Sequence, residues 1–301
     1  MSLIDFTNCK DDNELFDGEA GAKKGIIYNN EKWILKFGKN TKSMNNVNIS
    51  YTTSPISEYI GSKIYESIGI PVHKCLLWKY DGINNKNERK SYLVVACKNF
   101  KTDINDKFYS FLEVANNFNP NIDDYGNNLD FLITIDKIKN NKFIDSKLFL
   151  ERFYNMFIID TLINNNDRHY GNFGIIENLG KYTLAPVYDN GSSFYNKLDN
   201  DKVVDFLTNE EKFISSVYES RVSIFELNGK KINPYKLIES MKYEGLNNAV
   251  KRIVPLIDLE DIFEIIDSIP ESIFSSNMKL FYKKSFSYGY TKLLKVYKNL
   301  Q

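Results

Sequence analysis

The sequence predicts an α+β fold with two lobes, a small β-rich N-terminal lobe followed by a larger helical lobe. Up to residue 98, short runs rich in β-branched and aromatic residues alternate with turn residues and one helical pattern. From residue 106 onward, apolar residues recur mainly at helical spacing. With 301 residues, 43% of them hydrophobic, the chain can bury a large core as one unit, residues 1–301. We expect residues 1–98 to form the first lobe and residues 99–301 the second.

The elements of the first lobe follow one another along the chain. Strands are predicted at residues 26–28, 33–37, 72–79 and 92–97. A helix is predicted from Pro55 to about residue 68, because proline is favoured in the first turn and an apolar stripe follows it. The sequence Asn-Asn-Lys-Asn at 84–87 predicts a hairpin tip.

The second lobe is predicted to consist of helices and one β-hairpin. Helical patterns cover residues 147–164, 234–243, 246–257 and 271–298. Residues 173–176 and 181–184 are strand candidates on either side of a turn, so we expect a hairpin there. We expect residues 190–220 to form an activation and substrate-binding region.

The run at 164–173 reads N-N-N-D-R-H-Y-G-N-F, and A-P-V-Y-D-N-G follows the predicted hairpin at 185–191. Phosphoryl transfer depends mostly on positioning and charge neutralisation, so it needs a carboxylate at the acceptor hydroxyl and oxygen ligands for magnesium. Asp167 fits the first role, whereas Asn172 and Asp189 fit the second. The pattern predicts an ATP-dependent phosphotransferase that uses Mg²⁺.

The alternative for this run is a turn without chemistry, because Asn and Asp are common in turns. An apolar helix before the loop, a hairpin after it and a second acidic turn together favour the catalytic interpretation. Arg168 and His169 are expected to orient the loop, His169 in a structural role. His73, beside Val72 in a predicted strand, is expected to be half-buried in the sheet and to have no chemical role.

These residues resemble the HipA-like serine/threonine kinases, whose signature N-x-D-R-H-x-x-N, followed by P-x-Y-D, occurs here at 165–172 and 186–189. The resemblance covers nearly the whole chain and is greatest to short members of the family. It implies a bilobed protein-kinase-like fold, ATP and Mg²⁺ as cofactors, a protein Ser or Thr acceptor, and autophosphorylation. It places the catalytic base at Asp167 and the magnesium ligands at Asn172 and Asp189. A role as a toxin or effector is an extrapolation from family members.

The same resemblance places the nucleotide-binding lysine at Lys36, in the predicted strand at 33–37. Its expected carboxylate partner is Glu58, near the edge of the apolar stripe of the predicted helix. In protein kinases, a lysine on a strand of the small lobe pairs with the α- and β-phosphates. From the residues alone, an exposed strand lysine and a solvated surface glutamate remain the alternatives.

Weaker patterns predict two further parts of the nucleotide site. A basic, glycine-containing stretch could cover the phosphates with its backbone amides and charges, through Gly18, Gly21, Lys23 and Lys24. An ordinary hairpin turn with glycines would look the same. Backbone groups where the lobes join are expected to recognise adenine, at Cys97, Lys98 and Asn99. The alternative there is the end of a strand and a connector.

Two departures from the family bear on partners and regulation. Long members carry an additional N-terminal subdomain that engages an antitoxin, whereas the glycine stretch here begins at Gly18, so an antitoxin-like partner is not favoured. Some relatives are silenced by phosphorylation of a serine in that loop, but residues 16–25 contain no Ser or Thr. We therefore expect acceptor sites elsewhere, with Ser43, Ser192 and Ser193 as candidates.

Composition limits the other classes of function. Lys plus Arg and Asp plus Glu number 39 each, so nucleic acid is not expected as the primary partner. The three cysteines, Cys9, Cys75 and Cys97, lack C-x-x-C spacing, which argues against a disulfide framework or a structural zinc site. They favour a cytoplasmic location, with secretion without a cleaved signal left open. No apolar run is long enough to predict a membrane span. A lipid or small-molecule kinase and a catalytically silent nucleotide-binding interaction protein remain the alternatives.

Overall fold

The computed structural model describes residues 5–12, 23–83, 87, 89–116 and 129–301. Gly18 and Gly21, which were predicted to cover phosphates, lie outside the described residues. The same holds for residues 84–86 of the predicted hairpin tip.

The N-terminal part of the chain forms a five-stranded antiparallel sheet with the order β1-β2-β3-β5-β4. Its strands are β1 (Lys10–Asp12), β2 (Lys23–Tyr28), β3 (Glu31–Phe37), β4 (Cys75–Ile83) and β5 (Arg89–Lys98). Helix α1 (Ser54–Ser67) packs against β4 and β5 and begins with a proline in its first turn, as predicted.

Strand β5 lies inside this sheet and is covered on both faces. Val95 and Cys97 point to the main core, which includes α1, whereas Val94 and Ala96 join a second apolar cluster around Trp33. Side chains of a strand alternate between its two faces, so a strand that is covered on both faces has apolar residues at successive positions. The four buried residues of β5, from Val94 to Cys97, follow this pattern.

Three further strands form a small sheet beside the loop that carries Asp167 and Asn172. They are β6 (Lys107–Ser110), β7 (Gly174–Asn178) and β8 (Lys181–Leu184), in the order β6-β7-β8. The predicted hairpin is therefore present between β7 and β8. Leu179 and Gly180 both have positive φ, 48° and 81°, which is the backbone of a two-residue hairpin turn.

The rest of the chain is mainly helical. Its helices are α2 (Phe111–Ala115), α3 (Phe131–Lys139), α4 (Ser146–Ile163), α5 (Asn200–Thr208), α6 (Glu210–Ile214), α7 (Pro234–Glu239), α8 (Glu244–Ile253), α9 (Leu259–Asp267) and α10 (Ser276–Asn299). A two-stranded hairpin, β9 (Glu226–Leu227) and β10 (Lys230–Lys231), precedes α7. Among the described residues, no helix combines the length and the apolar character that crossing a membrane requires.

Two helices differ from their predicted limits for local reasons. The predicted helix at 234–243 ends at Glu239, because Met241 adopts a left-handed backbone with φ 52°. The last helix begins at residue 276 rather than 271, since the side chain of Ser275 accepts a hydrogen bond from the backbone N–H of Met278 and caps the helix.

The predicted strand at 72–79 is wrong at its start. Strand β4 begins at Cys75, whereas Val72 forms a parallel bridge with Val187. The N–H of His73 donates to the Val187 carbonyl at 3.0 Å, and the N–H of Val187 donates to the Pro71 carbonyl at 2.8 Å. The segment between α1 and β4 is therefore hydrogen-bonded to the residues that lead to Asp189.

Candidate active site

Helix α4 leads into residues 165–172, which we call the catalytic loop after the role predicted for Asp167. Its last residues, from Ile158 to Ile163, are buried, and the chain leaves the helix through Asn164 in a left-handed conformation with φ 57°. Asparagine tolerates this conformation better than most residues, which explains its place at the end of the helix. The turn directs residues 165–172 toward the sheet.

Asp167 and Asn172 are tied to each other within this loop. The Asn172 side-chain nitrogen donates to the Asp167 carbonyl at 2.7 Å, while the Asp167 N–H donates to the Asn165 side-chain oxygen at 3.2 Å. The amide nitrogen of Asn172 is thus occupied, which leaves its amide oxygen as the group that can bind a metal. The Asp167 carboxylate accepts a hydrogen bond from the Ser192 hydroxyl at 3.2 Å.

Arg168 is the buried centre of the loop, with 3% of its surface exposed. It donates to both carboxylate oxygens of Asp160, at 2.9 and 3.1 Å. It also donates to the Asn172 carbonyl at 2.9 Å, to the Asn190 side-chain oxygen at 2.6 Å and to the Tyr188 carbonyl. One guanidinium therefore connects helix α4, the catalytic loop and the segment around Asp189, which fits the orienting role expected of it.

Asp160 was not singled out by the sequence, although it is central to this arrangement. Its carboxylate also accepts from the Tyr65 hydroxyl at 2.9 Å and from the Asn165 side chain at 3.2 Å. Burial would lower the pKa of Arg168, but the Asp160 carboxylate raises it above its usual range. Arg168 thus keeps its charge, and both members of the buried pair have further hydrogen-bond partners.

His169 has a local role. Its ring nitrogen Nδ1 accepts a hydrogen bond from the Gly171 N–H at 3.0 Å. The backbone N–H of His169 donates to the Asp167 carbonyl at 2.9 Å. Both contacts lie within the catalytic loop. They fit the structural role expected for this residue.

Lys36, on strand β3, joins the five-stranded sheet to the other two elements of the site. Its ammonium lies 3.1 Å from Glu58 Oε2 on α1 and 3.0 Å from Asp189 Oδ1. Burial alone would lower the pKa of Lys36, but the two carboxylates raise it well above its ordinary value. Strand β3, helix α1 and the loop after β8 therefore meet at one positive charge. Lys36 is therefore not an exposed strand lysine, and Glu58 is not a solvated surface glutamate.

Glu58 is 1% exposed, and both of its oxygens have partners. Oε2 faces Lys36, whereas Oε1 accepts from the Asn190 N–H at 3.0 Å and lies 2.8 Å from His73 Nε2. Burial would raise the pKa of Glu58, but Lys36 and His73 hold it well below its usual range.

The expectation for His73 is therefore wrong. The residue is 6% exposed rather than half-buried, and its ring contacts the carboxylate that holds Lys36. The pairing of residues 71–73 with Val187 brings it there, and no local pattern in the sequence signals that pairing. Asn190, which is fully buried and donates to Ser62 Oγ at 3.0 Å, was missed for the same reason.

Asp189 adopts a left-handed backbone with φ 59°, and its side chain is 36% exposed. Burial would raise the pKa of Asp189, but Lys36 lowers it, with a smaller contribution from Lys23. Asp189 and Asn172 offer carboxylate and amide oxygens, the hard ligands that Mg²⁺ prefers. The residues present therefore fit a magnesium ion.

Lys23 and Lys24 lie in strand β2 rather than in a phosphate-covering loop. Lys23 is opposite Lys36 in the ladder between β2 and β3. Adjacent strand residues point to opposite faces, so Lys24 points away from Lys36. Its ammonium is bound by Asp11 at 2.8 Å and by the Tyr80 hydroxyl at 3.1 Å. The role predicted for Lys24 is wrong for this reason.

The prediction for adenine recognition also needs correction. The N–H of Lys98 donates to the Lys74 carbonyl at 2.8 Å, and the N–H of Asn99 donates to the Lys32 carbonyl at 2.9 Å. The Cys97 side chain is buried toward α1. Strand β5 lies between β3 and β4, so its backbone donors stay within the sheet up to Asn99. These N–H groups are not available to a base.

An aromatic cluster beyond this point was not predicted. Phe100, Phe108 and Tyr188 have ring centroids 5.5 to 5.6 Å apart, and the Tyr188 hydroxyl donates to the Gly171 carbonyl at 2.7 Å. The cluster joins the connector after β5 to the catalytic loop. Phe108 and Tyr188 are 80 residues apart in the sequence, so no local motif reveals the cluster.

Comparisons with known proteins identify the family of the chain. A family model described as the HipA-like C-terminal domain matches residues 19–253. The serine/threonine-protein kinase CtkA of Helicobacter pylori is 33% identical over 274 residues, which cover 90% of this chain and 80% of CtkA.

Solved structures confirm the α+β expectation. The crystal structure of the H. pylori proinflammatory kinase CtkA matches with a TM-score of 0.88 at 30% identity, over 99% of this chain and 98% of that chain. HipA of Shewanella oneidensis, solved with HipB and operator DNA, matches with a TM-score of 0.50 at 14% identity, over 96% of this chain and 67% of that chain. This second likeness concerns the fold alone. The chain therefore belongs to the HipA-like C-terminal domain family, and the serine/threonine-protein kinase CtkA is its homologue.

Proposed function

We propose that the chain is a serine/threonine protein kinase that transfers the γ-phosphate of ATP to a hydroxyl group of a protein and requires Mg²⁺. The observation that carries this proposal is the position of Lys36 between Glu58 and Asp189, at 3.1 and 3.0 Å. Such a lysine is oriented to donate to phosphate oxygens beside a metal-binding carboxylate. The homology to CtkA supports the same activity.

Each residue has one task in this proposal. Lys36 donates to the phosphate oxygens, and Asn172 and Asp189 hold magnesium through their side-chain oxygens. Bound Mg²⁺ and ATP supply the neutralised, transferable phosphoryl group. Asp167 orients the acceptor hydroxyl and accepts its proton. Arg168 keeps Asn172 and the Asp189 segment in register through its contacts with the Asn172 carbonyl and Asn190.

We also propose that the enzyme phosphorylates itself, with Ser192 as the first acceptor. The Ser192 hydroxyl lies 3.2 Å from the Asp167 carboxylate, which is the position that an acceptor hydroxyl must take. Its loop is held by a hydrogen bond from the Asn196 side chain to the Gly191 carbonyl at 2.5 Å. Ser193 is buried, so its hydroxyl is a poor acceptor by comparison. Ser43 is exposed in the loop between β3 and α1, and no contact with Asp167 among the described residues links it to the site.

Nucleotide binding and site mapping test these roles. Asp189→Ala should lose Mg²⁺-dependent binding of a nonhydrolysable ATP analogue, whereas Asp167→Asn should bind it nearly as well as wild type. Equal binding by Asp189→Ala and by the wild-type protein would contradict the metal assignment.

After incubation with Mg-ATP, mass spectrometry should find phosphate on Ser192. Ser193→Ala is the matched control, which should still carry phosphate on Ser192. Phosphate elsewhere, with Ser192 unmodified, would reject Ser192 as the acceptor.

A role as an effector rests only on the likeness to a kinase described as proinflammatory. The acceptor on a separate protein would be a Ser or Thr in an accessible segment that reaches Asp167. No observation among the described residues favours a lipid or a small molecule as acceptor.

A further inference from the structure

Four side chains of metal-binding type converge next to Lys36, which contacts one of them, Glu58. They are Glu58, His73, Cys75 and Cys97, all buried, and one ligand atom of each lies within 4.8 Å of the others. The spacing of the cysteines argued against a zinc site, since they are 22 residues apart. The fold removes that objection, because Cys75 and Cys97 are directly opposite each other on β4 and β5.

The distances suit a tetrahedral metal better than a disulfide. The two sulfurs are 3.7 Å apart. Two thiolates on a tetrahedral zinc ion, each with a bond of about 2.3 Å, would be roughly 3.8 Å apart. A disulfide bond would require about 2.05 Å. The His73 nitrogen and the Glu58 oxygen are 2.8 Å apart, which is somewhat less than two ligands on one metal require, so this pair must separate by a few tenths of an ångström.

We propose that these four side chains bind a zinc ion. Two sulfurs, one imidazole nitrogen and one carboxylate oxygen complete a four-coordinate set of the kind that zinc takes in proteins. Thiolate and imidazole ligands select zinc over magnesium, which prefers oxygen ligands and water. The cluster is therefore chemically distinct from the pair Asn172 and Asp189.

The protons and charges balance. Cys75 and Cys97 bind as thiolates, so two thiol protons leave to solvent. His73 Nε2 carries the proton that it donates to Glu58 in the metal-free cluster, and this proton must leave to solvent or move to Nδ1 before Nε2 binds the metal. Two thiolates, the Glu58 carboxylate and Zn²⁺ sum to a charge of minus one, which the Lys36 ammonium faces. Burial, with a further effect of Cys75, raises the pKa of Cys97.

Zinc at this position would inhibit phosphoryl transfer, and this part of the inference rests on the proposed function. Glu58 Oε1 accepts from the Asn190 N–H, and Oε2 holds Lys36. A metal that binds Glu58 withdraws negative charge from Lys36 and competes with the Asn190 contact. Both partners belong to the machinery that positions ATP, so zinc would lower the rate without entering the magnesium site.

Cobalt binding tests the site without any need for kinase activity. The full chain, kept reduced by a phosphine, is titrated with Co²⁺ while the thiolate-to-cobalt charge-transfer and d–d bands are recorded. We expect saturation at one equivalent, the intense d–d bands of tetrahedral cobalt, and bleaching by one equivalent of Zn²⁺. Absence of a charge-transfer band in the wild-type protein would overturn the proposal.

Variants separate this cluster from other thiols. Cys75→Ser and Cys97→Ser should each lose most of the charge-transfer intensity, whereas Cys9→Ser, which removes the remaining cysteine, should keep it. A band that survives in both cluster variants, or disappears in Cys9→Ser, would reject the assignment. His73→Gln keeps both thiols, so it should shift the d–d bands and weaken binding at least tenfold. This readout stays informative if a cysteine variant is too unstable to purify.

Inhibition is measured separately. Phosphoryl transfer by the wild-type protein should fall at least fivefold with one equivalent of Zn²⁺ and recover with a chelator, whereas Cys75→Ser should resist. Cobalt binding without inhibition would reject the inhibitory role and leave the metal site standing. Inhibition that is equal in Cys75→Ser would assign the effect to another site.

Discussion

The guanidinium of Arg168 donates a hydrogen bond to the side-chain oxygen of Asn190 at 2.6 Å. The two residues lie on different loops, one with Asp167 and Asn172 and the other with Asp189. Asn190 in turn donates its backbone N–H to Glu58 at 3.0 Å, and Glu58 holds Lys36. The loop with Asp167 and Asn172, the segment with Asp189, and Lys36 are thus connected through a chain of hydrogen bonds.

Replacing Arg168 should damage both stability and activity. Arg168→Met leaves the Asp160 carboxylate buried without its partner, so we expect a loss of about 3 kcal/mol or more in the free energy of unfolding. The control is Arg252→Met, whose partners Glu151 and Asn155 are partly exposed, and whose loss should be below about 1 kcal/mol. Urea unfolding measures both. Equal losses in the two variants would mean that Arg168 is not the structural centre of the loop.

Lys36→Met should lower kcat/KM for ATP by about 100-fold or more, since it removes a positioned charge at the phosphates. Lys24→Met is the matched control, because Lys24 lies on the neighbouring strand but its ammonium is held by Asp11 and Tyr80 on the opposite face. Steady-state kinetics at saturating protein acceptor measure both variants. A comparable loss in Lys24→Met would contradict the orientation of strand β2 and the role given to Lys36.

The buried pair of His73 and Glu58 should make stability depend on pH. Burial would lower the pKa of His73, but Cys97 and Glu58 raise it above its ordinary value. The folded state therefore holds this proton more tightly than the unfolded state does. The stabilisation is fully present below about pH 6.5 and is lost as the pH rises through the raised folded-state pKa.

His73→Gln should remove this dependence. Urea unfolding between pH 6 and pH 9, with a chelator present, should show the stability difference between wild type and variant shrinking as the pH rises. His169→Gln, which changes the other histidine, should keep the wild-type slope. A difference that grows toward high pH would contradict the direction assigned to His73.

Gly61 marks the close approach of α1 to the Asp189 segment. A Cβ atom at position 61 would lie 2.9 Å from Cβ of Asn190. In an unconstrained helix, Gly→Ala stabilises by about 1 kcal/mol. Here we expect Gly61→Ala to destabilise by about 1 to 3 kcal/mol and to lower kcat, because Asn190 must move. Thermal unfolding and kinetics test this, and a stabilised, fully active variant would contradict the contact.

The parts of the site that lie close together in the sequence could be predicted from it. The loop with Asp167 and Asn172 and the hairpin between β7 and β8 occupy one continuous stretch, so turn chemistry and strand patterns were sufficient. Lys36 and Glu58 were identified through the family resemblance, since either could be a surface residue by pattern alone.

The parts that depend on distant segments could not be predicted. His73 reaches Glu58 only because residues 71–73 pair with Val187, more than 100 residues later. Asp160 is one of several polar residues in helix α4, and only the contact with Arg168, which folds back onto it, sets it apart. The backbone N–H groups of Lys98 and Asn99, which were expected to contact adenine, are occupied within the sheet, and strand pairing has no signature in those side chains. The facing cysteines depend on the β4–β5 register in the same way.

The most direct test of the central claim is transfer of labelled γ-phosphate from Mg-ATP to the chain itself and to a generic protein acceptor, for wild type and Asp167→Asn. The account predicts phosphate on Ser or Thr in the wild type and a loss of about 100-fold or more in the variant, with unchanged unfolding and nucleotide binding. Transfer by Asp167→Asn at the wild-type rate, or no transfer by a wild-type protein that binds ATP, would contradict it.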